Sequence, residues 1–416
     1  MRSLPLLLLL IHLTAAAQDC SIPFTAPMFP VQGESDILYG VQPRYNGAPD
    51  SLRLNLYKPV GDGQTERPLL IVIHGGGFVG GHRDEMNDLC QSIAGMGWAA
   101  ATISYRLGYY GTGILDPPYA YDADEFRRAT YRAMQDTKGA IRFLKERHEQ
   151  DSTSTTNVLL IGFSAGGFAA LHAAYLDTPT EKPAAAGAIG DVQYFTDFFP
   201  RPDLGSIEGT LNQNGQDASV LGVASIFGGL LDAAMIENAD DPALYMYHQT
   251  GDPVVGCGVQ QPYHGIPFGP SAALPFTHGS CAIDAHVQTL GFAPGRYQFH
   301  LHNGNAHDIH DPTGVLVESL HWMRELFCGL GVSVEGTVSP EVSILFPNPS
   351  DGHLTLMLPD GVPRAQVEVI DLAGKRVAEI NAQSAVIDLR HLPDGIYLVR
   401  VQAAGKIFEE RSVIGR

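Results

Sequence analysis

The chain has 416 residues, 44% of them hydrophobic and 17% charged, which is enough apolar matter for a large core and too much for a disordered polymer. Acidic residues outnumber basic ones 45 to 26, and the formal charge of -19 offers no positive footprint for nucleic acid or anionic lipid. Glycine and proline are frequent but scattered, which excludes a low-complexity or collagen-like chain as well.

Residues 1–17 read as a secretory signal: Arg2, a nearly continuous apolar run from Leu4 to Leu13, then Ala15-Ala16-Ala17, with cleavage expected after Ala17. That run is about half the ~20 residues needed to span a bilayer, and no later stretch is long enough, so no transmembrane segment is expected in the mature chain. Export permits disulfides among Cys20, Cys90, Cys257, Cys281 and Cys328. Cys257 and Cys281 bracket a Gly/Pro/His-rich loop and are expected to pair, whereas Cys328, ending an apolar helical pattern, is expected to be a buried free thiol.

Leu52, Leu54 and Leu56 alternate with polar residues, the period of a half-buried strand. Leu69 to Ile73 is a short β-branched run, as in a central strand covered on both faces, and it ends at His74-Gly75-Gly76-Gly77-Phe78. Three glycines leave backbone N–H groups free of obstructing side chains, so Gly76 and Gly77 are candidate donors to an oxyanion. No nucleotide-binding glycine pattern accompanies them. A helix is expected over Glu85 to Met96, a strand over Trp98 to Ile103, and a long helix carrying Phe126, Thr130, Met134, Ile141 and Leu144 on one face. Arg127, Arg128, Lys138, Arg142 and Lys145 take much of the remainder.

The strand Val158 to Ile161 leads into Gly162-Phe163-Ser164-Ala165-Gly166 and a helix-compatible stretch to Tyr175. That is the strand-turn-helix setting of a nucleophile elbow, with the N–H of Ala165 joining the oxyanion donors. Asp177 to Asp217 is irregular and is expected to form an insertion or lid over one end of the sheet. Further strands are expected at Val220 to Phe227, Ala243 to Tyr247 and Tyr297 to Leu301, and a helix over Val315 to Phe327. Strands alternating with helices imply a doubly wound, mostly parallel α/β sheet.

A serine nucleophile needs a base and the base an orienting carboxylate, in the order serine, acid, histidine. Asp252 follows an apolar strand and is the chosen acid, with Asp232 and Asp191 as runners-up. His307, in the loop Asn303-Gly304-Asn305-Ala306-His307-Asp308, is the chosen base over His300, His302 and His310. His82, His172 and His248 are expected to be packed or surface side chains. The His-x-His spacing near Asp308 and Asp311 also suits a metal, but no His-Glu-x-x-His frame exists and a serine hydrolase needs none, so neither metal nor cofactor is expected.

After Cys328 the character changes. A linker over 333–342 is expected to join a domain over 18–332 to a small all-β sandwich over 343–416, with strands at Leu354 to Leu358, Gln366 to Ile370, Ala385 to Leu389 and Ile396 to Val401. Turns are expected at Asp360-Gly361, Ala373-Gly374 and Asp394-Gly395.

With these motifs the chain resembles the α/β-hydrolase superfamily, specifically esterases of the hormone-sensitive-lipase and carboxylesterase type, over roughly Asp36 to Phe327. Ser104-Tyr105-Arg106-Leu107 and Met134-Gln135-Asp136-Thr137-Lys138-Gly139-Ala140 are further points of likeness. The family places its acid in His-Gly-x-x-Asp-x-x-Val and its base in Gly-x-x-His-Gly; here Gln249 replaces the first glycine and Asp308 follows His307. The tail resembles the type IX secretion sorting domain, through Phe346-Pro347-Asn348-Pro349, Val369-Ile370-Asp371-Leu372-Ala373-Gly374-Lys375, Ile387-Asp388-Leu389, Gly395-Ile396-Tyr397 and the end from Lys406 to Arg416. The resemblances imply a secreted or surface-held serine esterase that crosses the inner membrane by its signal peptide and then, from the periplasm, the outer membrane by the type IX secretion machinery. Its substrate would be a small-molecule or polymer-linked ester, with acetyl or feruloyl groups on polysaccharide among the esters that secretion suggests. A peptidase of the same fold and an inactive surface binding protein are the alternatives.

Overall fold

The computed structural model describes residues 20–110, 122–194, 196–267 and 269–328, and in the tail 345–346, 350, 352–356, 365–371, 375–382, 386–393, 395–403 and 406–415. The expected signal, the linker over 333–342, most of the Phe346-Pro347-Asn348-Pro349 motif, and the turns at Asp360-Gly361, Ala373-Gly374 and Asp394 lie outside the described residues. The chain divides into two compact units, Met1–Gly329 and Leu330–Arg416.

In the larger unit, β1 (Val31–Pro43) and β2 (Pro49–Pro59) precede β3 (Arg67–Ile73), α1 (Asn87–Gly95), β4 (Ala99–Ile103), α2 (Ala123–Glu146) and α3 (His148–Asp151). Then come β5 (Thr153–Phe163), α4 (Ala165–Tyr175), the hairpin of β6 (Ile189–Tyr194) and β7 (Asp197–Arg201), β8 (Gly222–Ile226) and β9 (Gly229–Leu230). β10 (Ala243–Gln249), β11 (Val259–Gln260), β12 (Thr277–Gly279), α5 (Ser280–Val287), β13 (Tyr297–His302) and α6 (Pro312–Cys328) complete it. One sheet of eight strands runs in the order β1-β2-β4-β3-β5-β8-β10-β13. β1, β2 and β4 pair antiparallel, and from β4 onward every pairing is parallel. This is the α/β-hydrolase arrangement.

All seven residues of β3 are buried because helices cover both faces of the sheet. Leu69, Ile71 and Ile73 share a core with Met134 of α2 and Phe168 of α4, while Leu70 and Val72 share another with Ile93 of α1 and Met323 of α6. β1 has no counterpart among the sequence expectations: of its 13 residues only Tyr39 is buried, so no alternation marks it.

The irregular stretch 177–217, expected as an insertion or lid, is an insertion between α4 and β8. It runs along the outer face of α2, whose Arg128, Lys138, Arg142 and Lys145 are buried, while Arg127 is only partly covered. Arg128 donates to the carbonyls of Ala185 (2.7 Å) and Gly187 (3.0 Å), Lys138 to Leu176 (2.9 Å), Arg142 to Leu211 (2.9 Å) and Lys145 to Ser219 (2.8 Å). A segment with little secondary structure must satisfy its carbonyls elsewhere, and α2 supplies the donors.

Cys257 and Cys281 form a disulfide with Cα atoms 4.9 Å apart. Cys328 is also bridged, to Cys20, with Cα atoms 5.6 Å apart and a sequence separation of 308. The free thiol is instead Cys90, buried on α1. Arg324 holds the incoming strap beside α6 by donating to the carbonyl of Cys20 (2.8 Å), a partnership that helical periodicity cannot reveal.

His172 of α4 shows what burial costs at low pH. Its Nδ1 donates to the Phe168 carbonyl (2.8 Å) and its Nε2 accepts the Leu231 N–H (3.2 Å), so only the neutral ring fits, and burial pushes its pKa down to about 4. The unfolded chain binds this proton near pH ~6.5, so the folded state's advantage is complete above that value and shrinks as pH falls toward 4, by about 3 kcal/mol. Calorimetry between pH 7 and 4 should show the thermal midpoint falling, and His172→Gln should flatten part of that fall; an equal fall in the variant contradicts the assignment. The flattening is partial because burial also lowers the pKa values of His74 and His248.

In the tail, β14 (Leu345–Phe346), β15 (His353–Leu356), β16 (Ala365–Asp371), β17 (Arg376–Ala382), β18 (Val386–Asp388), β19 (Gly395–Ala403) and β20 (Lys406–Ile414) form two antiparallel sheets, β14-β15-β18 and β17-β16-β19-β20. Leu354, Leu356 and Ile387 from one sheet and Val367, Val369, Val399 and Val401 from the other make a common core, as in a β-sandwich.

Candidate active site

The site is assembled at the carboxyl ends of β3, β5 and β10 and on the loop that follows β13. At β3 the chain turns through Gly76 (φ +115°) and Gly77 (φ +61°), and a Cβ on Gly76 would collide with the Gly80 carbonyl. The His74 ring stacks on Tyr105 at 4.5 Å, and Tyr105 donates its hydroxyl to the His74 carbonyl (3.0 Å), bracing the loop from below. The two stretches singled out by likeness meet here. Arg106, next to Tyr105, forms a buried ion pair with Asp136 of α2 at 2.8 Å.

At β5 the turn is sharper. Ser164 adopts φ +53° and ψ −119°, a conformation that strains any residue with a side chain. A Cβ on Gly162 would strike the Gly166 carbonyl and one on Gly166 the Ile73 carbonyl, so both glycines are needed for the turn to close and to press against the β3 loop. The Ser164 N–H donates to Ile226 (3.0 Å), while the N–H groups of Gly76, Gly77 and Ala165 donate to no acceptor among the described residues. Ala165 opens α4, where the helix dipole favours negative charge.

Asp252 follows β10 and is 1% exposed. Its Oδ1 accepts the N–H groups of Val254 (2.8 Å) and Val255 (3.0 Å), which leaves Oδ2 to the Nδ1 of His307 at 2.7 Å. The His307 Nε2 lies 2.9 Å from the Ser164 Oγ, and its ring rests against Phe227 with centroids 4.6 Å apart. The structure thus brings Ser164, Asp252 and His307 together beside the Gly76, Gly77 and Ala165 amides. Beside Ser164, Phe78, Phe126, Phe168 and Tyr263 wall an apolar pocket.

The other candidates lie elsewhere. Asp232 caps the short turn Ala233–Met235, and Asp191 sits on β6. His300 faces Glu318, while His302 stacks on His310 with centroids 3.7 Å apart, and His310 contacts the Tyr247 hydroxyl (3.0 Å). His248 is buried between Ser280 and the Val255 carbonyl. Sequence reasoning missed the roles of Phe227, Tyr263 and Tyr105; Phe227 ended an expected strand and Tyr105 lay in a stretch of likeness, but neither was tied to the site.

The BD-FAE family model matches residues 54–261, and the model described as secretion system C-terminal sorting domain matches residues 344–415. Juvenile hormone esterase of Tribolium castaneum is 26% identical over 182 residues, 42% of this chain and 29% of that protein. Lipase 2 of Moraxella sp. (strain TA144) is 29% identical over 137 residues, 30% of this chain and 28% of that protein. The chain therefore spans under a third of the length of these curated relatives. Among solved structures, a truncated carbohydrate esterase from gut microbiota has a TM-score of 0.42 at 14% identity, covering 72% of this chain and 98% of its own. Thermogutta terrifontis esterase 2 phosphonylated by cyclosarin has a TM-score of 0.42 at 16% identity, covering 73% of this chain and 95% of its own.

Proposed function

The chain belongs to the BD-FAE family, and from that premise we propose that it is a secreted carboxylic ester hydrolase working through an acyl-enzyme on Ser164. Its sorting tail marks it for export, to be released or held at the cell surface. In this reading the signal occupies 1–17, the catalytic domain 18–332, the linker 333–342 and the sorting domain 343–416, the last engaging the type IX machinery.

The observation that carries the reading is the unbroken relay from Asp252 Oδ2 through both nitrogens of His307 to Ser164 Oγ, at 2.7 and 2.9 Å. His307 takes the hydroxyl proton as Ser164 attacks the ester carbonyl, and Asp252 keeps Nδ1 protonated so that Nε2 is the basic nitrogen. Negative charge growing on the carbonyl oxygen is met by the amides of Gly76, Gly77 and Ala165. His307 then returns the proton to the departing alkoxide, and water, activated by the same nitrogen, releases the acid. Export suits small-molecule or polymer-linked esters, including acetyl or feruloyl groups on polysaccharide.

The bond type is tested by comparing aryl acetates with the matching anilides. The mature protein should turn over the esters, with the anilides slower by at least about a thousandfold in kcat/KM, since the amine is the poorer leaving group. Comparable anilide turnover would make it a peptidase, and turnover of neither would leave a binding protein.

A further inference from the structure

Resting on the triad just proposed, we infer that Gln249, with Asp308, is a clamp that positions His307. Gln249 ends β10 and is 4% exposed. Its side-chain carbonyl accepts the N–H of Ala306 (3.0 Å), and its amide donates both to the Asp308 backbone carbonyl (3.1 Å) and to the Asp308 carboxylate (2.7 Å). One buried side chain therefore grips the residue before His307 and the residue after it.

The rest of the loop shows why such a grip matters. Upstream, Thr250 N–H bonds to the His302 carbonyl (3.0 Å) and Gly251 N–H to the Gly304 carbonyl (2.8 Å), extending the β10–β13 pairing. Downstream, the N–H of His310 bonds to the Tyr247 hydroxyl (3.0 Å). Between Gly304 and His310, the described hydrogen bonds to the main chain are those made by Gln249. A Cβ on Gly304 would meet the Gln249 side-chain oxygen, so the glycine makes room for the clamp. Gln249 and Asp308 also stand at the two places where the acid and base motifs read above carry glycine, and here the two side chains bond to each other.

His307 must keep two hydrogen bonds on opposite edges of its ring, so a tilt of the loop that lengthens one also spoils the other. The clamp touches neither substrate nor reacting atoms; it sets the position of the His307 Cα, and with it proton transfer, leaving the substrate pocket alone. Gln249→Ala should lower kcat by about 10- to 100-fold with KM changed less than about twofold, because small misplacements of a catalytic group carry costs of that size. Asp308→Asn, which keeps the acceptor, should retain wild-type kcat, whereas Asp308→Ala should lose part of it. The double variant Gln249→Ala/Asp308→Ala should be no slower than Gln249→Ala, because both changes break the same contact.

Steady-state kinetics of these variants and of Ser164→Ala, with thermal midpoints, decide the matter. Wild-type kcat in folded Gln249→Ala, or additive losses in the double variant, overturns the clamp. If Gln249→Ala does not fold, Asp308→Ala against Asp308→Asn replaces it, and equal kcat in those two overturns the clamp. If Ser164→Ala keeps full activity, the triad itself fails, whatever Gln249 does.

Discussion

Replacing Ser164 with alanine is expected to lower kcat on an aryl acetate by about 10⁶-fold, the scale of loss when a catalytic serine acting in concert with its base is removed. A small remainder above the rate in water should survive, because the Gly76, Gly77 and Ala165 amides still face the carbonyl oxygen. The strained turn at residue 164 follows from Gly162, Gly166 and the packing against Ile73, none of which the substitution alters, so the variant should fold. Stopped-flow or overnight assays of the purified mature protein read the effect, and a loss under tenfold would place the nucleophile elsewhere.

His307→Ala is expected to be nearly as damaging, because Ser164 without a base is a poor nucleophile at neutral pH. The informative comparison is with His310→Ala. His310 lies three residues along the same loop but spends its ring on His302 and Tyr247, with no bond to Ser164 or Asp252. It should keep most of the wild-type kcat. A dead His310→Ala beside an active His307→Ala would reassign the base and undo the reading of the loop.

The parts of the fold that showed in the sequence are those where burial is symmetric or periodic. β3 is apolar throughout because helices cover both its faces, and the apolar stripe of α2 follows its turn. β1 stayed hidden because an edge strand with one buried residue has no pattern to read. The sequence set the cations of α2 outside its apolar stripe, and that the segment after α4 buries Arg128, Lys138, Arg142 and Lys145 is a tertiary effect without local signal. Cys328 was misread for a similar reason: its partner Cys20 lies at the far end of the unit.

For the site, legibility followed backbone geometry. The turn at Ser164 and the loop at Gly76 demand glycines at fixed offsets, which leaves a mark in sequence. Asp252 and His307 sit on loops whose only local cue is a preceding strand, so four histidines competed for one role and three aspartates for another. Gln249 was visible as a departure from a pattern, but its partner loop is 59 positions away from it at Asp308, and only the fold brings the two together.

The central claim is that Ser164 carries the acyl group, and trapping the intermediate tests it most directly. The mature protein mixed with an aryl acetate, quenched in acid within the first turnover and digested, should yield an acetyl group on the peptide containing Ser164, and none in Ser164→Ala. An acetyl group on another residue of an enzyme in steady turnover, or turnover with Ser164 never labelled, would contradict it.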